Sequence, residues 1–376
     1  MNMLLTIVVL VFEQIIATKS QCIPSLTTAS GTSAPRGDIC SGDLIFEDNF
    51  HTLDLNKWQH EQTLGGGGNW EFQWYTNNRT ISFVEDGILN IKPRLLADDT
   101  GEQFLYSGTL DINGGSPSDE CTNPAWYGCL RTGTPTNILN PIKSARIRSL
   151  NSFRFKYGTL EAKMKIPSGD WLWPALWLLP HLNQYGGWPA SGEIDIMESR
   201  GNKAYMDRFG KNIGTGLSSS TLHWGTSTET NKYSLTHYEQ SSFEGFDEDW
   251  HLFQMEWTPN NITFKIDDDI TGVLSPPKGG FWELGKFQKS GLVNPWKSGS
   301  RMAPFDQEFF IIMNLAVGGV SFFPDDATNA GGKPWSNQSP KASTDFWAGK
   351  QQWLPTWNMD TNKQTFLIDY IRVWAL

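Results

Sequence analysis

The ten residues Gly158 to Pro167, GTLEAKMKIP, put Leu160, Ala162, Met164 and Ile166 on one parity and Thr159, Glu161, Lys163 and Lys165 on the other. Successive β-carbons of an extended chain point to opposite faces, so this pattern predicts a strand with one face buried and one wet. Asn261 to Asp267, NITFKID, alternates in the same way. Phe309 to Val317 is nearly unbroken apolar sequence, which predicts an inner strand covered on both faces. The chain closes on a further strand-like stretch, FLIDYIRVWAL, in which Trp374 is expected to serve the core. No long segment repeats with a helical period. Together with 36 Gly and 20 Pro among 376 residues, the many short strands predict an all-β chain of two antiparallel sheets packed face to face.

A single sandwich domain is expected over 43–376, with 96–140 and 268–305 as long insertions between strands. Residues 1–20 carry an apolar run from Leu4 to Phe12, too short to span a bilayer, followed by small residues at Thr18 and Ser20. They read as a secretory signal peptide, and the Ser/Thr/Gly/Pro-rich residues 21–42 read as a tethered lead-in. Four cysteines suit an oxidising compartment; of three possible connectivities the reading takes Cys22–Cys40 and Cys121–Cys129. Sequons at Asn78, Asn261 and Asn337 fit a secreted glycoprotein. A formal charge of −10 argues against nucleic acid as a partner, because phosphate neutralisation dominates that binding. No membrane span is expected, and the protein is read as a monomer.

Eighteen Trp exceed what the core needs. In GDWLWPALWLLP, Trp171, Trp173 and Trp177 share one parity, and indoles on one strand face suit a groove for the C–H faces of sugar rings. Trp188 and His223-Trp224-Gly225 add to that supply.

The stretch Gly192 to Glu198, GEIDIME, sets Glu193, Asp195 and Glu198 close together with no cation before Arg200. Strict alternation would send Glu198 to the face opposite the other two. One extra residue, a β-bulge at Ile196-Met197 with Met197 as the insertion, would gather all three on one side. Such a cluster has two main uses. A Ca²⁺ cage would want further oxygens, for instance from Asn202 or Asp207. Glycoside hydrolysis needs one carboxylate to attack the anomeric carbon and one acid to protonate the leaving oxygen.

EIDIME, with GDWLWPALWLLP, GGWPASG, TLHWG and NLAVGG around it, resembles glycoside hydrolase family 16, and within it the invertebrate β-1,3-glucanase and β-1,3-glucan-binding branch. The resemblance implies a curved jelly roll with a sugar groove on its concave sheet and no required cofactor. A structural Ca²⁺ stays open. By the same resemblance Glu193 is the nucleophile, Glu198 the acid/base and Asp195 the modulator between them. Trp173, Trp177 and Trp188 would stack on sugars, with Arg79, His223 and Asn314 as polar contacts. The implied function is a secreted protein that binds and hydrolyses β-1,3-glucan, or a pattern-recognition protein that binds microbial glucan and triggers a prophenoloxidase-type cascade.

Lipopolysaccharide enters as a partner through one further feature. From Cys121 to Leu160 there is no Asp or Glu, while Arg131, Lys143, Arg146, Arg148, Arg154 and Lys156 are cationic. If residues 149–152 turned one strand onto the other, these would form a basic patch for phosphate; the alternative is an outer face balanced by neighbouring acids.

Overall fold

Along Gly158–Lys165 (β1) the two parities separate as their chemistry requires. Leu160, Ala162 and Met164 have no solvent exposure, and Thr159, Glu161, Lys163 and Lys165 are half-buried on the opposite face. The computed structural model that places them describes residues 22–114 and 120–376, so the expected signal peptide lies outside the described residues.

Five further strands organise the site: β2 (Leu172–Pro180), β3 (Glu193–Ser199), β4 (Leu217–His223), β5 (Phe309–Val317) and β6 (Phe366–Trp374). One sheet of eight strands is built around β1, which pairs antiparallel with His251–Trp257 on one side and β6 on the other. The other, of nine strands, runs β5, β2, β3, β4 through its middle. The core lies between them. All nine positions of β5 are buried: odd-numbered residues from Phe309 to Val317 pack into the core, and Phe310, Ile312, Asn314 and Ala316 line a groove on the other face. The unbroken apolar run thus serves two surfaces at once, the core and the groove floor.

Residues 22–42 are tied down. Thr28–Ser30 extends the nine-stranded sheet by pairing with Arg154–Lys156, and the hydroxyls of Ser25 and Thr27 bond the backbone of Leu376. Disulfides join Cys22 to Cys40 and Cys121 to Cys129. The long insertions hold structure of their own: 96–140 contains the helix Glu102–Ser107 and a small hairpin, and 268–305 contains Asp269–Leu274 and the helix Gly280–Leu284. No helix among the described residues is long and apolar enough to cross a membrane. Of the sequons, Asn78 is exposed and Asn261 half-buried. The Asn337 amide nitrogen is engaged, donating to the Phe323 carbonyl at 2.9 Å.

Three expectations are corrected here. Trp171 does not share a face with Trp173 and Trp177: it precedes β2 with a positive φ of 71°, and packs edge-on in the core against Tyr205, Phe323 and Trp335. Trp374 is half-buried on the outer face rather than in the core. Its parity is flipped by a bulge in β6, where Lys163 pairs with Tyr370 and Met164 with Ile368, leaving Asp369 unpaired. Finally, residues 149–153 do not fold one basic strand onto another. Arg146–Arg148 and Arg154–Lys156 pair successively with the same strand, β5, and the segment between them is a bulged excursion.

Candidate active site

The bulge in β3 decides where the carboxylates point. Opposite β4, Asp195 pairs with Thr221 and Glu198 with Ser219, so Ser220 alone faces both Ile196 and Met197. Opposite β2, Trp177 pairs with Asp195 and Leu176 with Met197, which leaves Ile196 without a partner. The inserted residue is therefore Ile196, one position earlier than expected. Its freed carbonyl accepts from Ser220 Oγ at 2.8 Å, so the irregularity leaves no orphaned oxygen there. Ile196 and Met197 both join the core, and Glu198 returns to the face of Glu193 and Asp195.

These three carboxylates sit in a groove of about 800 Å³ across the nine-stranded sheet. Its floor includes Trp173, Trp177 and Asn314, and one wall comes from the glycine-rich segment 65–71 and the loop closed by Cys121–Cys129, which contributes Trp126. Gly66, Gly67 and Gly68 all have positive φ, and a β-carbon on Gly67 would lie 2.6 Å from Glu71 Oε1, so this wall needs glycine to pass so close to Glu71.

The indoles are bound differently from a row of stacking platforms. Trp173 Nε1 donates to Glu198 Oε1 at 3.0 Å, and Trp188 Nε1 donates to Glu193 Oε2 at 3.0 Å. Trp177 Nε1 donates to Asn314 Oδ1 at 2.7 Å. One face of Trp173 is already covered by Phe322, stacked at 4.0 Å. Two of the expected sugar platforms therefore hold carboxylates by their edges, while Trp188 remains 45% exposed at the rim.

His223, beside Glu193 in the ladder, brings Nε2 to 3.2 Å from Asp195 Oδ2 and 3.8 Å from Glu193 Oε1. Asn231 Nδ2 donates to His223 Nδ1 at 2.9 Å, which puts the imidazole proton on Nε2, toward the carboxylates. The approach to Asp195 is poorly aligned, and Asp195 Oδ2 is buried without a hydrogen-bond partner. Arg79 is the expected contact that the fold does not bring in. It is exposed, does not line the groove, and lies against Asn77 and His60.

Crowding and burial set the charge of the cluster. Burial first, then Asp195 and Glu198, push the Glu193 carboxyl up to about 8 against the pull of His223 and the Trp188 hydrogen bond. Burial and then Glu198 push Asp195 well above the usual carboxylate range, while a hydrogen bond with Glu193 pulls it back. Like charges this close cannot all ionise at neutral pH, so the cluster keeps a proton.

Glu193, Asp195 and His223 each offer a ligand atom within 4.8 Å of the others. This set does not fit Ca²⁺, which takes ~6–8 oxygens. Asn202 and Asp207, the extra oxygens considered from sequence, are elsewhere: Asn202 is buried against the Trp171 backbone and Asn329, and Asp207 caps its own turn.

Several lining residues were not singled out for the groove from sequence. Arg146 and Arg148, assigned to a basic patch, line its wall. Arg146 lies 3.6 Å from Glu61 and 3.8 Å from Glu71, with its guanidinium 5.2 Å from the Trp177 ring, and Arg148 lies 3.7 Å from Glu61. Arg154 pairs with Glu308 and Lys143 with Asp99. The cations are balanced by acids from distant parts of the chain, and their shared parity in SARIRS was the available clue to the groove.

A two-sheet sandwich crossed by a groove of indoles, amides and clustered carboxylates has the architecture of a carbohydrate-active β-sandwich. The profile of the glycosyl hydrolases family 16 matches residues 130–280. The chain is 47% identical over 343 residues to a beta-1,3-glucan-binding protein of Penaeus monodon, covering 89% of this chain and 90% of that relative. It is 33% identical to beta-1,3-glucan-binding protein 1 of Galleria mellonella, covering 96% of this chain and 69% of the relative. Among solved structures, the catalytic domain of an endo-1,3-beta-glucanase (laminarinase) from Thermotoga petrophila RKU-1 aligns with a TM-score of 0.54 at 26% identity, over 89% of this chain and 97% of that one. The chain belongs to glycosyl hydrolase family 16.

Proposed function

We propose that the protein binds β-1,3-glucan along this groove and hydrolyses it within the chain, with retention of configuration. The observation that carries the proposal is the Ile196 bulge, which sets three carboxylates on one groove face with an indole donor on Glu193 and another on Glu198. The Glu193 carboxylate attacks the anomeric carbon while Glu198 gives a proton to the departing glycosidic oxygen. Glu198 then takes a proton from water, whose oxygen displaces Glu193 and restores the β configuration. Asp195 holds the proton that Glu193 must lack when it attacks, and the Nε2–H of His223 favours that anion. Trp177 and Trp126 supply apolar area for sugar faces, and Asn314 and Arg146 supply polar contacts.

The relatives' names support a second reading, in which binding rather than turnover is used, as a secreted recognition protein for microbial glucan that feeds an immune cascade. Lipopolysaccharide fits less well, since Arg146, Arg148, Arg154 and Lys143 already have acidic partners. Secretion through residues 1–20 accords with the two disulfides, and a monomer glycosylated at Asn78 and Asn261 completes the reading.

Release of reducing ends from laminarin tests the enzyme. Glu193→Gln and Glu198→Gln are each expected to lower turnover by roughly a thousandfold or more while leaving glucan binding within a few fold. Undetectable turnover by the unmodified protein, with binding intact, would leave the recognition reading in its place.

A further inference from the structure

A second cavity, of about 650 Å³, lies on the far side of the glycine-rich wall. Gly65 belongs to its lining, and Glu71 lines both it and the catalytic groove. The Cys121–Cys129 loop divides its aromatics between the two: Trp126 lines the groove, and the next residue, Tyr127, lines the second cavity. Trp70 and Tyr127 are 49% and 73% exposed there, with positive φ values of 51° and 60°. Left-handed backbone at bulky residues is uncommon and costs on the order of 1 kcal/mol or more, and strain of this kind gathers where side chains are aimed at a ligand. Across from these rings stand polar groups of Asn137, Lys341 and Ser343, and Ser343 Oγ is a buried hydroxyl with no hydrogen-bond partner. Exposed rings facing amide, ammonium and hydroxyl groups form a surface suited to a sugar, with apolar area for C–H faces and partners for hydroxyls.

Resting on the glucan reading, we propose that this cavity is an accessory carbohydrate subsite that takes a second, uncleaved segment of the same polymer, either a side branch or an adjacent strand. The two sites share a wall, so a polymer held in one presents further sugars to the other at high effective concentration. A short oligosaccharide occupies the groove alone. The accessory site therefore acts on polymer affinity and leaves short substrates unaffected.

The test uses the full chain carrying Glu193→Gln to stop turnover, with calorimetric binding of laminarin and of laminaritriose. Trp70→Ala with Tyr127→Ala is expected to weaken laminarin binding by about ten- to a hundredfold and to leave laminaritriose binding within twofold. Trp177→Ala, in the groove, is expected to weaken both ligands. Unchanged laminarin affinity in the double variant, while Trp177→Ala weakens binding, would overturn the accessory site and leave the glucan reading standing. Equal weakening toward both ligands by the double variant would assign these rings to the groove itself and also overturn the proposal. If neither ligand binds even with every ring intact, the glucan reading fails and the accessory site falls with it. Because both residues are exposed, a matching thermal melt separates lost contacts from lost fold.

Discussion

β3 and β6 each carry one residue too many, to opposite ends. In β3 the inserted Ile196 turns Glu198 toward the groove and keeps two apolar side chains in the core. In β6 the inserted Asp369 turns Trp374 out of the core and Ile371 and Val373 into it. One bulge assembles a reactive site, and the other corrects a hydrophobic register. A bulge is a parity switch, and its effect depends on which side chains follow it.

Deleting each inserted residue breaks the comparison most sharply. Without Asp369, regular pairing with β1 would drive Tyr370, Arg372 and Trp374 inward and expel Ile371 and Val373, each worth about 1.5–3 kcal/mol when buried. Together with a buried, unpaired guanidinium this rivals the whole stability of a typical domain, so the variant is expected to be insoluble or unfolded. Without Ile196, alternation still sends Met197 inward and Glu198 to the groove. That variant is expected to fold with a lowered melting temperature and impaired turnover, because Glu198 is shifted relative to Trp173. Folded, soluble protein lacking Asp369 would show that β6 slips its register freely, which the parity argument forbids.

The two tryptophans whose places were exchanged come next. Trp171→Ala removes a fully buried indole packed against three aromatic rings, and is expected to cost about 3–5 kcal/mol in chemical denaturation. Trp374→Ala, on the outer face, is expected to cost about 1 kcal/mol or less. Similar losses at both sites would mean that Trp374 is better packed than its outward parity allows.

Much of this was legible in the residues themselves. The alternation of β1 and the apolar run of β5 both identified strands and the faces they bury. GEIDIME signalled its bulge because regular pairing would have split three carboxylates between groove and core, a conflict too costly to ignore. The bulge in β6 had a weaker sign, the adjacent outward pair Asp369-Tyr370 between Ile368 and Ile371, with no buried charge to raise an alarm. The residue that carries the β3 insertion could not be read from one strand, because register belongs to the pair: only Leu176 and Trp177 on β2 distinguish Ile196 from Met197. Arg146 and Trp126 were missed as groove residues for a related reason. Their acidic partners and the glycine wall arrive from segments far away in the chain.

Gathering carboxylates should have a cost that depends on pH. Glu193 is raised from an ordinary value of 4.5 to about 8. The folded state therefore prefers its protonated form, and the sign follows from linkage: stability from this group is full below about 4.5 and is lost as pH rises toward 8. Glu193→Gln, which cannot ionise, is expected to be more stable than the unmodified protein by on the order of 2–3 kcal/mol at pH 8. The gain should vanish below pH ~4.5, as thermal melts across that range would reveal. A constant gain at every pH would point to packing, and a loss at pH 8 would contradict the burial of an ionised Glu193. No comparable gain is expected from Asp369→Asn in the other bulge, where the carboxylate is exposed beside Lys163 at 2.9 Å.

The smallest effect concerns what holds the β3 bulge in place. Ser220 faces both bulge residues, and its hydroxyl supplies the hydrogen bond that the Ile196 carbonyl would otherwise lack. Ser220→Ala leaves a buried acceptor unpaired and is expected to cost about 1–2 kcal/mol. The same change frees the backbone that aims Glu198, so kcat on laminarin should fall by about three- to tenfold with little change in KM, since the groove floor is untouched. Ser220→Thr keeps the hydroxyl and should recover kcat more than it recovers stability, because its extra methyl must fit against the buried strand. A kcat loss that Thr fails to restore, with stability unchanged, would mean that the bulge is held by the side chains of Ile196 and Met197 in the core and that the hydroxyl only fills its place.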